Sequence, residues 1–142
     1  MARRGSAEYA LLMPKVTQLS AWVENRPGML GQVADALGQR KVNIRAFMAT
    51  VMSERGFVRV VVDKPAVAKK VFAAHGWKTT EDDVVEVPIP DRPGALGRVA
   101  DQLGAAGVNI DYAYLGNAGA GSKVNLYLSV PDVKAALRAL RR

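Results

Sequence analysis

The sequence contains no cysteine, one histidine and no long apolar segment. Without cysteine the chain can form no disulfide and no thiolate metal site, and it cannot use thiol catalysis. His75 alone argues against a histidine-based zinc site or acid–base pair. No apolar run approaches the roughly 18 residues of a membrane span, and residues 9–13 are too short for a signal peptide core. We therefore expect a cytoplasmic protein with no cofactor, metal or membrane partner.

The chain is basic, but its excess charge lies mostly at the two ends. It has 142 residues with 20 Lys and Arg against 13 Asp and Glu, a net charge of +7. A strongly basic domain can indicate nucleic-acid binding. Five of the arginines, however, lie within residues 1–4 and 138–142, where there is no acidic residue. We interpret the excess as solvated ends, and a nucleic-acid-linked regulator is a less favoured alternative.

An internal repeat organises the chain. Residues 25–31, NRPGMLG, recur 66 positions later at 91–97 as DRPGALG, and 13 of the 19 positions from 26 to 44 match their counterparts. A register held over this distance indicates two copies of one unit, copy one and copy two. We expect a tail over 1–15 that could form an extra strand, a first domain over 16–82 and a second over 83–142.

Each copy predicts the same order of elements. β-Branched and alternating residues predict strands, and apolar residues spaced i, i+3, i+7 predict a helix after each Pro-Gly turn. The predicted strands are 16–24, 42–51, about 58–62 and 77–81 in copy one, and 84–90, 108–115 and about 124–128 in copy two. Pro65 and Pro131 are predicted to open second helices. The order βαββαβ predicts an α+β fold of two ferredoxin-like units, with antiparallel sheets and helices on one face.

Copy two is expected to lack its last strand, because the equivalent of 77–81 would lie beyond Arg142. The first strand of that copy, Val84–Ile89, would then be a bare sheet edge, which proteins usually cover. Residues 9–13 are apolar and could supply the cover, within the chain or between chains.

The repeated Asx-Arg-Pro-Gly turn joins a predicted strand to a predicted helix. Backbone N–H groups at a helix start are unpaired and attract anions such as a carboxylate. Gly28 and Gly94 would allow such a group to approach closely, and Asn25 and Asp91 can bond to the turn's own backbone. The alternative is a tight, capped turn with no ligand.

Polar residues at two further pairs of positions suit the same chemistry. Asn43 and Asn109 can both donate and accept, as the ammonium and carboxylate of a zwitterion require. Arg26 and Arg92 can pair with an anion. The alternatives are asparagines that turn the chain and arginines that are solvated. No nucleophile–base pair can be assembled, so no catalytic residue is predicted.

Together these motifs resemble the ACT domain family. The resemblance lies in Asp/Asn-x-Pro-Gly-x-Leu opening the first helix and Val-Asn-Ile opening the second strand, in both copies. It covers residues 16–142. ACT domains are small regulatory modules of amino-acid metabolism, and the chain resembles a stand-alone tandem ACT protein with no enzyme attached.

The resemblance implies a non-enzymatic amino-acid receptor that forms a dimer or larger homo-oligomer. Amino acids would bind at the interface between paired domains, between the first turn of one domain and the second strand of the other. The implied ligand-binding residues are Asn25, Arg26, Pro27, Gly28, Met29, Leu30, Asn43 and Ile44 in copy one, and Asp91, Arg92, Pro93, Gly94, Ala95, Leu96, Asn109 and Ile110 in copy two. Met29 against Ala95 makes the two sites unequal. The main alternative is a regulatory subunit or interaction module for an amino-acid biosynthetic enzyme, without a ligand site of its own.

Overall fold

The structure is a computed structural model and describes residues 15–118 and 121–141. The described residues contain six strands and four helices. In chain order they are β1 Lys15–Val23, α1 Met29–Gln39, β2 Ile44–Met52, β3 Arg55–Val62, α2 Pro65–Ala74, β4 Thr79–Pro90, α3 Ala95–Ala105, β5 Tyr112–Ala118, β6 Lys123–Ser129 and α4 Val133–Leu140. The predicted α+β class is confirmed. The described residues divide into two compact units, one over 17–82 and the other from Asp83 onward together with Lys15 and Val16.

The unit over 17–82 has its strands in the order β2-β3-β1, with β1 and β2 both antiparallel to β3. Alternate residues of β1 and β3 turn to one face, as the period of a strand requires. On that face Leu19 and Val60 share a single core with Leu37 of α1 and Phe72 of α2, and each of these side chains is at most 1% exposed. Both helices therefore contribute to one core with this sheet.

The second unit has its strands in the order β4-β6-β5, again with antiparallel neighbours. Its core joins Val85 and Val87 of β4 and Leu126 of β6 to Leu103 of α3 and Ala136 of α4. The buried helix positions repeat those of copy one, since Leu37 and Leu103 are equivalent and both fully buried.

The link between the copies corrects one prediction. Strands over 77–81 and 84–90 were expected to be separate, whereas a single strand, β4, runs over Thr79–Pro90 and the boundary between the units falls inside it. Asp82 and Asp83, which lie between the two predicted strands, include no glycine or proline to turn the chain. The backbone therefore stays extended from one copy into the next.

Two further boundaries in copy two differ from the predictions. The second strand, expected over 108–115, begins at Tyr112. Before it, the Asp111 N–H donates to the Ser129 carbonyl over 2.8 Å. The last helix begins at Val133, not at Pro131, because the Asp132 side chain caps it by accepting from the Ala135 N–H at 3.1 Å. Pro65, in contrast, does open α2 as predicted.

Two predictions concern the ends of the chain. Residues 9–13 lie outside the described residues, so their role as an edge cover stays a prediction, as does the division into 1–15, 16–82 and 83–142. In the described part of the chain, no helix combines the length and apolar character needed to cross a membrane.

Candidate functional site

The two repeated turns have nearly the same backbone geometry. Gly28 has φ +88° and Gly94 has φ +87°, both in the left-handed region directly before a helix. A Cβ at either position would meet no atom within 4 Å. Glycine is therefore required by the backbone conformation, and the space beside each turn is open.

The helices that follow these turns start without side-chain caps. The N-cap residue of each helix is a glycine, which offers no side chain to the first turn. The bonds that Asn25 and Asp91 were expected to make to the turn's own backbone stay a prediction. The Gly28 and Gly94 carbonyls accept the first helical bonds, from Gln32 at 2.9 Å and Arg98 at 3.0 Å. The first N–H of each helix is already bonded, from Met29 to the Arg26 carbonyl and from Ala95 to the Arg92 carbonyl, both at 3.3 Å. The helix start still carries the partial positive charge that attracts an anion.

Arg26 is held across its turn. Its Nε donates to a Glu24 carboxylate oxygen at 3.2 Å, and its Nη2 donates to the Gln32 side-chain oxygen at 3.3 Å. The guanidinium is half-exposed. It therefore lies in one orientation beside the start of α1. Arg92 of copy two is anchored through its backbone N–H, which donates to the Pro90 carbonyl at 3.0 Å.

An apolar groove lies between the start of α1 and strands β2 and β3. Its volume is about 360 Å³, and all its lining residues are apolar. They are Leu30, Gly31, Val33, Ala34, Ile44, Phe47, Val58 and Val60. The groove brings together two predicted site residues, Leu30 from the helix start and Ile44 from the second strand.

A second depression, the turn hollow, adjoins the groove and shares Leu30 and Val58 with it. It has a volume of about 240 Å³ and includes the predicted residues Asn25, Arg26 and Met29. Its lining is partly polar, in contrast to the groove. One face of this unit therefore passes from a polar turn, next to a helix start, to an apolar groove.

The two predicted asparagines make structural contacts. The Asn43 N–H donates to the Asp63 carboxylate at 2.9 Å, and the Asn43 carbonyl accepts from the Asp63 N–H at 3.2 Å. The Asn109 side-chain amide donates to the Asp111 carboxylate at 3.0 Å. Asn43 is exposed and does not line the apolar groove. The role of both asparagines in ligand binding stays a prediction.

Large apolar side chains are exposed along one edge of this unit. β2 is an edge strand in the order β2-β3-β1. Phe47, Val51 and Met52 on this strand are 43–54% exposed, and Leu30 beside them is 46% exposed. Contiguous exposed apolar groups mark contact surfaces, and an open strand edge can pair with another chain.

Comparison with known proteins settles the family. A family model described as an ACT domain pair matches residues 14–126. The chain belongs to the ACT family. The resemblance seen in the repeated motifs is thereby confirmed, and ACT domains are regulatory modules. None of the curated proteins is similar enough to count as a match.

Several solved structures share the fold of this ACT pair. A protein from Bacteroides thetaiotaomicron has 27% sequence identity and a TM-score of 0.81, covering 91% of this chain and 88% of its own. The ligand-free regulatory subunit of aspartate kinase from Thermus thermophilus has 18% identity and a TM-score of 0.65, covering 87% and 89%. The corresponding subunit from Thermus flavus has 19% identity and a TM-score of 0.59, covering 90% and 92%.

Sequence reasoning missed part of the groove lining of this ACT pair. Phe47, Ala34 and Gly31 were not among the predicted site residues, and Val58 and Val60 were predicted only as a buried strand face. The available signal was the strand period, which turns Val58 and Val60 toward α1. Within 15–118 and 121–141, no three His, Asp or Glu side chains cluster so as to hold a metal ion.

Proposed function

We propose that this ACT pair is a non-catalytic regulatory protein that binds a free amino acid beside its Asx-Arg-Pro-Gly turns. The observation that carries the proposal is the start of α1, which follows a glycine N-cap and lines both the turn hollow and the apolar groove. We propose further that each copy is a ferredoxin-like unit. Family membership supports the regulatory role.

The ligand's polar end would lie at the turn. Its carboxylate would meet the N–H groups of the first turn of α1, with the Arg26 guanidinium close by to pair with it. Asn43 would contribute polar contacts from the start of β2. In copy two, the start of α3 with Arg92 and Asn109 would form the equivalent set.

The site would be completed by a second chain. The exposed apolar residues on β2, together with the open edge of that strand, support pairing with another copy. A ligand lying at such an interface would stabilise one arrangement of the domains by its higher affinity for that arrangement. We therefore propose a homo-oligomer, a dimer or larger, whose assembly responds to the amino acid.

A thermal-shift screen of the twenty amino acids tests the proposal. A ligand at one hundred times its dissociation constant should stabilise the protein by about 2.7 kcal/mol. Asn43→Ala should weaken binding of the best amino acid by about 1–3 kcal/mol, the cost of leaving a polar group of the ligand unpaired where the second chain buries it. If none of the twenty changes the melting temperature, this function is wrong.

The second candidate is a regulatory subunit that binds an enzyme without a ligand of its own. Exposed Leu96 and Leu115 in copy two, at 51% and 53%, favour a protein partner. The solved regulatory subunits of aspartate kinase make that enzyme the first to test. Co-elution of the two proteins with no response to any amino acid would favour this candidate.

A further inference from the structure

We infer that the amino acid bound by copy one has an apolar side chain, which the apolar groove receives. The inference rests on the proposed function and specifies its ligand class. Eight residues line the groove, and none carries a charged, hydroxyl or amide side chain. Val33, Val58 and Val60 are at most 4% exposed and belong to the core, whereas Leu30 and Phe47 are about half-exposed. The groove therefore combines a buried floor with accessible walls.

The surroundings of the groove favour an amino acid over a purely apolar occupant. The turn hollow next to it includes Glu24, Arg26 and Thr50, so polar groups adjoin the apolar groove at the turn. An amino acid with an apolar side chain has the same division between a charged end and an apolar end. With about 360 Å³ available, size does not exclude any side chain of this class.

The polarity of the ligand's side chain, and not its size, therefore decides which amino acids the groove accepts. A lysine, aspartate or threonine side chain entering the groove would lose water and find no partner among the lining residues, which is unfavourable. An apolar side chain would gain contact with Leu30, Ala34, Phe47 and the valine floor. The exposed apolar wall that Phe47 presents to solvent would be covered by the ligand.

Valine and threonine provide the sharpest test, because they have the same shape and differ by one hydroxyl. Calorimetry on the full chain should show L-valine binding roughly tenfold to a hundredfold more tightly than L-threonine, the discrimination that apolar pockets reach. L-Leucine should likewise bind more tightly than L-lysine. Equal affinities, or tighter L-threonine, would overturn this inference and leave the proposed function intact. Failure of every amino acid to bind would overturn both.

Filling the groove provides the second test. Ala34 is half-buried in a helix that tolerates leucine, so Ala34→Leu should lower the affinity for L-valine at least tenfold. Ala100→Leu, at the equivalent position of copy two, should change it less than twofold. Phe47→Ala, on the exposed wall, should also weaken L-valine binding several-fold. This second variant keeps the inference testable if the Ala34 variant does not fold.

The results for these variants show whether an amino acid or a second copy of the chain occupies the groove. If Ala34→Leu and Ala100→Leu weaken L-valine binding equally, the effect is not local and the groove is not the binding site. If Ala34→Leu alters only the oligomer measured by light scattering and leaves L-valine affinity unchanged, a second copy covers the groove. Either result overturns the inference.

Discussion

The geometry of the repeated turn can be tested by substituting alanine for each of two nearby glycines, Gly28 and Gly31. Gly28 lies before α1 with φ +88°, whereas Gly31 lies in the first turn of that helix and has no positive φ. A Cβ at either position meets no atom within 4 Å, so no steric clash enters the comparison. The two substitutions to alanine therefore differ in backbone conformation alone.

The expected magnitudes follow from this difference. Alanine at position 28 must adopt a left-handed conformation that costs an L-residue about 1–2 kcal/mol. The lower entropy of alanine in the unfolded chain offsets about 0.4–1 kcal/mol of this. Gly28→Ala should therefore lower the free energy of unfolding by about 0–1.6 kcal/mol. Gly31→Ala should raise it by about 0.5–1 kcal/mol, because alanine favours a helix over glycine.

Thermal unfolding of the full chain, followed by far-UV circular dichroism, measures both effects. The protein concentration must be held constant, because oligomerisation makes the melting temperature depend on it. At about 2–4 °C per kcal/mol for a chain of this size, Gly31→Ala should melt about 1–10 °C above Gly28→Ala. Gly94→Ala and Gly97→Ala repeat the test in copy two. Equal melting temperatures, or the reverse order, would refute the role of the left-handed turn.

Three further predictions concern stability and assembly. Gly56→Ala should lower the free energy of unfolding by about 1–3 kcal/mol, because a Cβ there would lie 2.9 Å from Cγ2 of Val23; a chemical denaturation curve matching the wild type would contradict this. Ser53→Asn combined with Glu54→Gly should raise the melting temperature, since both residues have positive φ in the β2–β3 hairpin turn; an unchanged or lower value would show that these conformations are not strained. Deleting residues 1–13 should lower stability or change the oligomer seen by light scattering, and a truncated protein that melts and elutes unchanged would show that the segment is only a tail.

The sequence predicted the elements better than their boundaries. Because of the 66-residue repeat, each element predicted in one copy could also be predicted in the other. The helical spacing of apolar residues correctly predicted that Leu37 and Leu103 are buried in the two cores. Boundaries depended on tertiary contacts that no local pattern shows. β5 begins at Tyr112, after an Asp111 N–H that bonds to Ser129 on β6, and β4 continues through three acidic residues because nothing turns the chain.

The site was predicted at its turns and missed at its groove. Pro27 and Gly28 mark a turn through local chemistry, which a motif can show. Phe47 and Ala34 meet only because β2 and α1 pack side by side in the fold, and neither lies in a motif. Nor could the sequence show that Gly28 is selected by its φ of +88° rather than by lack of space.

The two copies share the geometry of the repeated turn but differ in the second-strand residue that forms the exposed wall of the groove in copy one. Gly28 and Gly94 differ by one degree in φ, so both helix starts offer an anion the same backbone. The position equivalent to Phe47 is Ala113, which presents much less apolar surface, and the strand of copy two starts later than its counterpart. If the turn holds the charged end of an amino acid, selection of its side chain is the property in which the copies differ. An amino acid with an apolar side chain would then bind more tightly to copy one than to copy two. Duplication would thus have produced one selective site and one less selective site within a single chain.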